Sequence, residues 1–192
     1  MDTRQHLQNS WIDYGTLSDD IQFDFDKLWD LHPTQYNKVK ILGKIIDTPR
    51  WQQTYGKSYN YTGMHHDALP IPLEINPFLD YVQHLYPEYT FNQILINWYE
   101  NGLHYIGTHS DNIEPLVENS PIVSISLGET RIFRIKEKQT KTKILDISLK
   151  HKTVITMGGL FQKEYTHEVP KVTGKKGEQL KKRINITFRC FK

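Results

Sequence analysis

The chain holds one cysteine, Cys190, among 192 residues. No internal disulfide can form, and a cysteine-based zinc site cannot be assembled. A reducing interior compartment fits this best, with nucleus and cytoplasm not distinguished. No apolar run approaches the roughly 20 residues needed to cross a bilayer, so no membrane association is expected. The start, Met1-Asp-Thr-Arg-Gln-His, lacks the charged-then-apolar layout of a secretory signal. Internal repeats, low-complexity tracts and a glycine-rich phosphate loop are also missing. Positive charge is scarce through most of the chain: residues 1–130 hold 7 Lys/Arg against 17 Asp/Glu, whereas residues 131–192 hold 17 against 5. The net charge of +2 hides this asymmetry. A basic stretch of this kind attracts polyanions, or is simply a set of solvated loops.

What remains is ordinary for a globular chain, 38% hydrophobic and 24% charged, and its length suggests one domain over 1–192 and, by default, a monomer. Residues 12–30 are acidic, with Ile21, Phe25, Leu28 and Trp29 at helix-like spacing. Lys38 to Ile46 reads as strand interrupted by Gly43. Residues 49–72 are rich in Gly, Tyr, Asn and Pro and read as an irregular surface region. Pro77 to Tyr86 has helical spacing through Phe78, Tyr81, Val82 and Leu85. From Phe91 the character turns to β. Residues 91–99, 122–127, 131–135, 144–149, 153–157 and 183–191 are short, branched-rich runs between turn residues. Six such strands suggest a double-sheet jelly roll over 91–192, with residues 1–90 as an α/β extension. Lys171 to Lys182 reads as a mobile loop.

The chemistry concentrates in His109-Ser110-Asp111, in His167, and in Arg183-Ile-Asn185-Ile-Thr187-Phe-Arg189. On an extended chain, His109 and Asp111 project to one side. Two imidazoles and one carboxylate can hold a single Fe(II) on one face and leave the other open. In the last strand Arg183, Asn185, Thr187 and Arg189 share one face, and Ile184, Ile186, Phe188 and Cys190 the other. The polar face is either exposed on an edge strand or lines a pocket whose anionic ligand neutralises the arginines. Guanidinium forks suit a dicarboxylate such as 2-oxoglutarate, which favours the pocket. Adjacent residues face opposite ways, so His65-His66 is no metal pair. With His84, His104 and His151, these are read as structural or surface histidines. Trp51 and Trp98 are read as packing residues, and Cys190 as core.

Five segments, FNQILINWYENG (91–102), IGTHSD (106–111), SPIVSISLGETRIF (120–133), THEVP (166–170) and RINITFR (183–189), together resemble the AlkB family of nucleic-acid dealkylases, and its eukaryotic DNA-repair branch most of all. The resemblance runs from about Ile41 to the C-terminus. It implies a double-stranded β-helix core, with His109, Asp111 and His167 as ligands of Fe(II). Asn97, Tyr99, Arg183, Thr187 and Arg189 would hold 2-oxoglutarate, with Asn185 lining the same pocket and Arg189 pairing with the distal carboxylate. It implies oxidative demethylation of 1-methyladenine and 3-methylcytosine in DNA, with RNA as a further substrate, using O2 and releasing formaldehyde, succinate and CO2. Ascorbate would serve as reductant in vitro. Residues 41–44 resemble a hairpin that wedges into a base stack, with Leu42 as the wedge and Gly43 and Lys44 beside it. Tyr59-Asn60-Tyr61 resembles the lid over a flipped base. Asn112 and Ile113 stand where this branch usually has acidic residues that read the damaged base, with Glu114 one position later. The alternatives are an oxygenase acting on a protein side chain or lipid, and a non-catalytic nucleic-acid binder.

Overall fold

The structure is a computed structural model that describes residues 3–41, 43–61 and 64–192, without the side chains of Lys40, Ile41, Tyr59, Asn60, Tyr61, Met64 and His66. It opens with a hairpin, β1 (Thr3–Leu7) and β2 (Ser10–Thr16), followed by the short helix α1 (Phe25–Asp30). A second hairpin pairs β3 (Lys38–Ile41) with β4 (Lys44–Asp47). Next come β5 (Trp51–Gly56), β6 (Tyr59–Tyr61), β7 (Met64–His66), β8 (Ala68–Leu69) and helix α2 (Asn76–Leu85). Then follow β9 (Gln93–Tyr99), β10 (Ile106–His109), β11 (Ile122–Gly128), β12 (Arg131–Glu137), β13 (Lys143–Leu149) and β14 (Thr153–Gly159). The chain ends with a single turn α3 (Phe161–Glu164), β15 (Tyr165–Val169), α4 (Gly174–Gln179) and β16 (Arg183–Arg189).

Two sheets carry the architecture. The larger has the order β1-β2-β14-β11-β16-β9-β5-β8, and the smaller has the order β10-β15-β12-β13. Strand alternation gives the large sheet two buried faces. Its outer face carries Ile94, Ile96, Trp98, Ile125, Ile184, Ile186 and Phe188, packed under Leu28, Phe78 and Val82 of the two helices. Each such fully buried aliphatic or aromatic side chain contributes on the order of 1.5–3 kcal/mol. The inner face meets the small sheet through Ile155, Met157, Phe133, Ile135, Ile147 and Val169. Asp24 caps α1 by accepting from the amides of Asp26 and Lys27, and Pro77 occupies the first turn of α2. The indole of Trp98 donates to the Leu28 carbonyl at 2.9 Å and locks α1 onto the sheet.

Several expectations change. The helix read over 12–30 shrinks to Phe25–Asp30, because residues 10–16 join the large sheet with Ile12 fully buried. The irregular region over 49–72 contains four strands, and β5 pairs with β9 throughout. Short strands of Gln, Tyr and Thr lack the apolar alternation that would announce them. The β16 strand lies between β11 and β9, with all seven residues buried, so its polar face is not an exposed edge. The loop read over 171–182 contains α4 and is seated on Gly102, whose amide donates to the Gly177 carbonyl at 2.8 Å. Trp51 stacks between Tyr36 and His32, with ring centroids at 5.2 and 4.4 Å, which makes it packing as expected. Cys190 is fully buried in the core. Leu42 lies outside the described residues, as do the side chains of Tyr59, Asn60 and Tyr61.

Candidate metal and cosubstrate site

One cavity between the sheets is lined by Asn97 and Tyr99 of β9, by His109 of β10, and by Asp111 and Asn112 just beyond it. Ser124, His167, Asn185, Thr187 and Arg189 complete the polar wall. Ile106, Phe133, Met157 and Val169 supply an apolar one. The pairing of β10 with β15 sets His109 opposite His167, with ring centroids 4.3 Å apart. Asp111 follows on, its Oδ1 at 3.6 Å from His109 Nε2 and 4.0 Å from His167 Nε2. One donor atom from each of the three lies within 4.8 Å of the others, the only such grouping of His, Cys, Asp or Glu among the described residues.

The protonation states suit a metal. Burial pushes both imidazoles down, His167 to about 3, so both are neutral at pH 7. Burial alone would raise Asp111, but Arg189 and the two histidines hold its carboxyl at about 2. Neutral nitrogens beside an ionised oxygen are the forms a cation needs. The Gly107 carbonyl lies 2.9 Å from His109 Nδ1, which places the proton there and leaves Nε2 as the lone-pair donor. This donor set, two imidazoles and a carboxylate with an open side, fits Fe(II).

A second set of charged and polar groups comes from β16. Arg189 donates from Nε and Nη2 to Asp111 Oδ2 at 3.0 and 2.8 Å, and from Nη1 to Gln93 Oε1 at 3.0 Å. It therefore stands at the metal end of the cavity. The resemblance gives Arg189 the distal carboxylate, and in this structure its fork faces Asp111. Arg183 is 1% exposed, with its guanidinium 4.7 Å from the Tyr99 ring centroid. Its Nη2 donates to Ser126 Oγ and Asn185 Oδ1, both at 2.9 Å. Its Nε and Nη1 are buried without a hydrogen-bond partner among the described residues. Such a cation is costly unless an anion joins it, which fits a dicarboxylate.

Sequence reasoning missed Arg50, which lines the cavity. It is 5% exposed and donates to Asn97 Oδ1 at 2.6 Å and to Gln52 Oε1 at 2.9 Å. Only the alternation of Arg50, Gln52 and Thr54 hinted at a polar inward face. Gln162, whose Oε1 accepts from the Asp111 amide at 2.8 Å, had no sequence signal. Gly43 sits at the β3–β4 turn with φ +79, and Lys44 is exposed. Neither is among the residues lining the cavity.

Comparison with known proteins converges on the same chemistry. The DNA oxidative demethylase ALKBH2 of Homo sapiens is 30% identical over 162 residues, covering 79% of this chain and 60% of that protein. The Homo sapiens alpha-ketoglutarate-dependent dioxygenase alkB homolog 3 is 34% identical over 110 residues, 53% of this chain and 37% of the other. The chain thus spans about 60% of the length of the first of these relatives. The solved structure of OsALKBH1 superposes with a TM-score of 0.61 at 17% identity, covering 96% of this chain and all of that one, which supports the jelly-roll fold. A family model described as the 2OG-Fe(II) oxygenase superfamily matches residues 26–189, a span that includes all three candidate metal ligands and both strand-β16 arginines. With that match over most of its length and a cavity that gathers His109, Asp111 and His167, the chain belongs to the 2OG-Fe(II) oxygenase superfamily, whose chemistry uses Fe(II), 2-oxoglutarate and O2.

Proposed function

We propose that this oxygenase removes N-methyl groups from alkylated bases of DNA, with 1-methyladenine and 3-methylcytosine as substrates and RNA as a further polymer. The observation that carries the reading is the cavity that gathers His109, Asp111 and His167, with the buried guanidinium of Arg183 behind two of its lining residues, Asn185 and Tyr99. The names of the relatives, DNA oxidative demethylase among them, support the substrate class. So does the basic composition of residues 131–192, which suits a phosphate backbone. Residues 1–192 would act as one catalytic domain.

When bound, Fe(II) and 2-oxoglutarate supply the O2-dependent oxidation of the methyl carbon, which leaves as formaldehyde while the cosubstrate becomes succinate and CO2. The chain's own residues bind and orient. His109 and His167 present neutral nitrogens, and Asp111 an ionised oxygen held by Arg189. Arg183, with Tyr99 beside it, is assigned to the distal carboxylate, and Asn97, Asn185 and Thr187 to the polar wall between. Ile106, Phe133, Met157 and Val169 keep water from the reacting face. Asn112 lines the cavity and is assigned to the base. The β3–β4 hairpin around Gly43 and Lys44 exposes Ile45 and Ile46 (60% and 44%), apolar side chains suited to a gap in a base stack. Tyr59, Asn60 and Tyr61 are assigned to the lid by resemblance alone.

The test is repair of matched single- and double-stranded oligonucleotides carrying 1-methyladenine or 3-methylcytosine, with Fe(II), ascorbate and 2-oxoglutarate, read by mass. Loss of the methyl mass, abolished in Asp111→Ala, is expected. Continued 2-oxoglutarate decarboxylation with no change in any oligonucleotide would move the substrate to a protein side chain or lipid.

A further inference from the structure

Asp111 lies two residues beyond His109, the last residue of β10, so no strand ladder fixes its backbone. Its carboxylate is held by Arg189, but its peptide is held from elsewhere. The Asp111 amide donates to Gln162 Oε1 at 2.8 Å, and Ser110 Oγ donates to the Tyr165 carbonyl at 2.8 Å. Both anchors belong to the segment that leads into His167, so the two ligand-bearing stretches are stitched side by side. Gln162 is 8% exposed, and its Nε2 lies 3.6 Å from Met157 Sδ, which turns Oε1 toward Asp111.

Gln162 sits on α3, a single turn with little rigidity of its own. That turn is held by the N-terminal hairpin. The Leu160 amide donates to the Asn9 carbonyl at 3.1 Å, Asn9 Nδ2 donates to Glu164 Oε1 at 3.0 Å, and Ser10 Oγ donates to the same carboxylate. Trp11 lies against Gly158 so closely that a Cβ there would meet the indole at 2.1 Å. A continuous set of contacts therefore runs from residues 9–11 through α3 to the Asp111 peptide.

We infer that Gln162 is a positioning residue for the metal centre, acting on Asp111 through the backbone amide. The inference rests on reading His109, Asp111 and His167 as the metal ligands. Without the Gln162 acceptor, the Asp111 amide loses its anchor, and the carboxylate is held between the two imidazoles by Arg189 and the Ser110 contact alone. Groups that orient a ligand from behind typically alter metal affinity by about 10- to 100-fold. A merely structural glutamine would lower the melting temperature and leave metal affinity alone.

The experiment is titration of the metal-free protein with Co(II), followed by visible absorption, together with its melting temperature. Wild type is compared with Gln162→Leu, which removes the acceptor, and Gln162→Glu, which keeps one. The Co(II) Kd is expected to rise at least tenfold in Gln162→Leu and to stay within about threefold of wild type in Gln162→Glu. A Gln162→Leu affinity within twofold of wild type overturns the inference, as does a Gln162→Glu variant as weak as Gln162→Leu. Should Gln162→Leu not fold, Gln162→Met carries the same comparison. The underlying ligand assignment fails separately, if His109→Ala and His167→Ala bind Co(II) as wild type does.

Discussion

Arg183 is the residue on which the cosubstrate reading turns, because its buried guanidinium keeps two nitrogens without a hydrogen-bond partner among the described residues. Arg183→Met is expected to leave the metal-free, ligand-free protein melting no lower than wild type, since it removes an uncompensated charge. It should also raise the KM for 2-oxoglutarate at least tenfold, a loss of about 1.4 kcal/mol or more. Steady-state kinetics against cosubstrate concentration, with thermal melts, checks both halves. His104 gives a pH test away from the ligands. Burial pushes its pKa below the usual value, and its Nδ1 accepts from the Glu100 amide at 3.2 Å. Its folded pKa is thus below its unfolded one. The associated stability is complete above about pH 6.5 and is lost as the pH falls below that value. Melting curves from pH 7.5 to 5 should fall more steeply for wild type than for His104→Gln, and parallel slopes would refute this.

Among the elements, β16 was legible from sequence because its two faces differ so sharply, four polar positions alternating with Ile, Ile, Phe and Cys. The α2 helix was legible too, bounded by Pro77 and Pro87 around an apolar stripe. The β10 and β15 strands were harder. Their inward positions are His109 and His167, and ligands in place of aliphatic residues erase the alternation that marks a strand. The N-terminal strand β2 was masked in another way. Helical spacing farther along, at Phe25, Leu28 and Trp29, was extended backward over residues that pair with β14. Arg50 had only a faint signal and Gln162 none, because what places each at the site is a contact 47 residues away in one case and 51 in the other. The α4 segment makes its own prediction. A Cβ on Gly177 would lie 2.0 Å from the Val172 carbonyl oxygen, and one on Gly102 would meet Gly177 at 2.7 Å. Gly177→Ala is expected to cost about 1–3 kcal/mol in urea unfolding, since backbone must shift to admit the methyl group.

At the scale of the whole molecule, the excess of positive charge lies in the last third of the chain, while the hairpin assigned to the base stack lies in the first. Oligonucleotide affinity should therefore fall steeply with salt. If six phosphates are neutralised, the slope of log K against log salt is about −4 for single strands. Fluorescence anisotropy from 50 to 200 mM salt measures it, and a flat response would remove the polyanion from the account.

The buried guanidinium of Arg183, with two nitrogens lacking a hydrogen-bond partner among the described residues, also bears on how long the protein survives. A folded state that carries a raw cation inside is incomplete until a metabolite enters, and a ligand present at 100 times its Kd adds about 2.7 kcal/mol to folding. Where unfolded chains are destroyed, occupancy becomes abundance. A shortage of 2-oxoglutarate would then thin the population of this oxygenase as well as slow each copy of it.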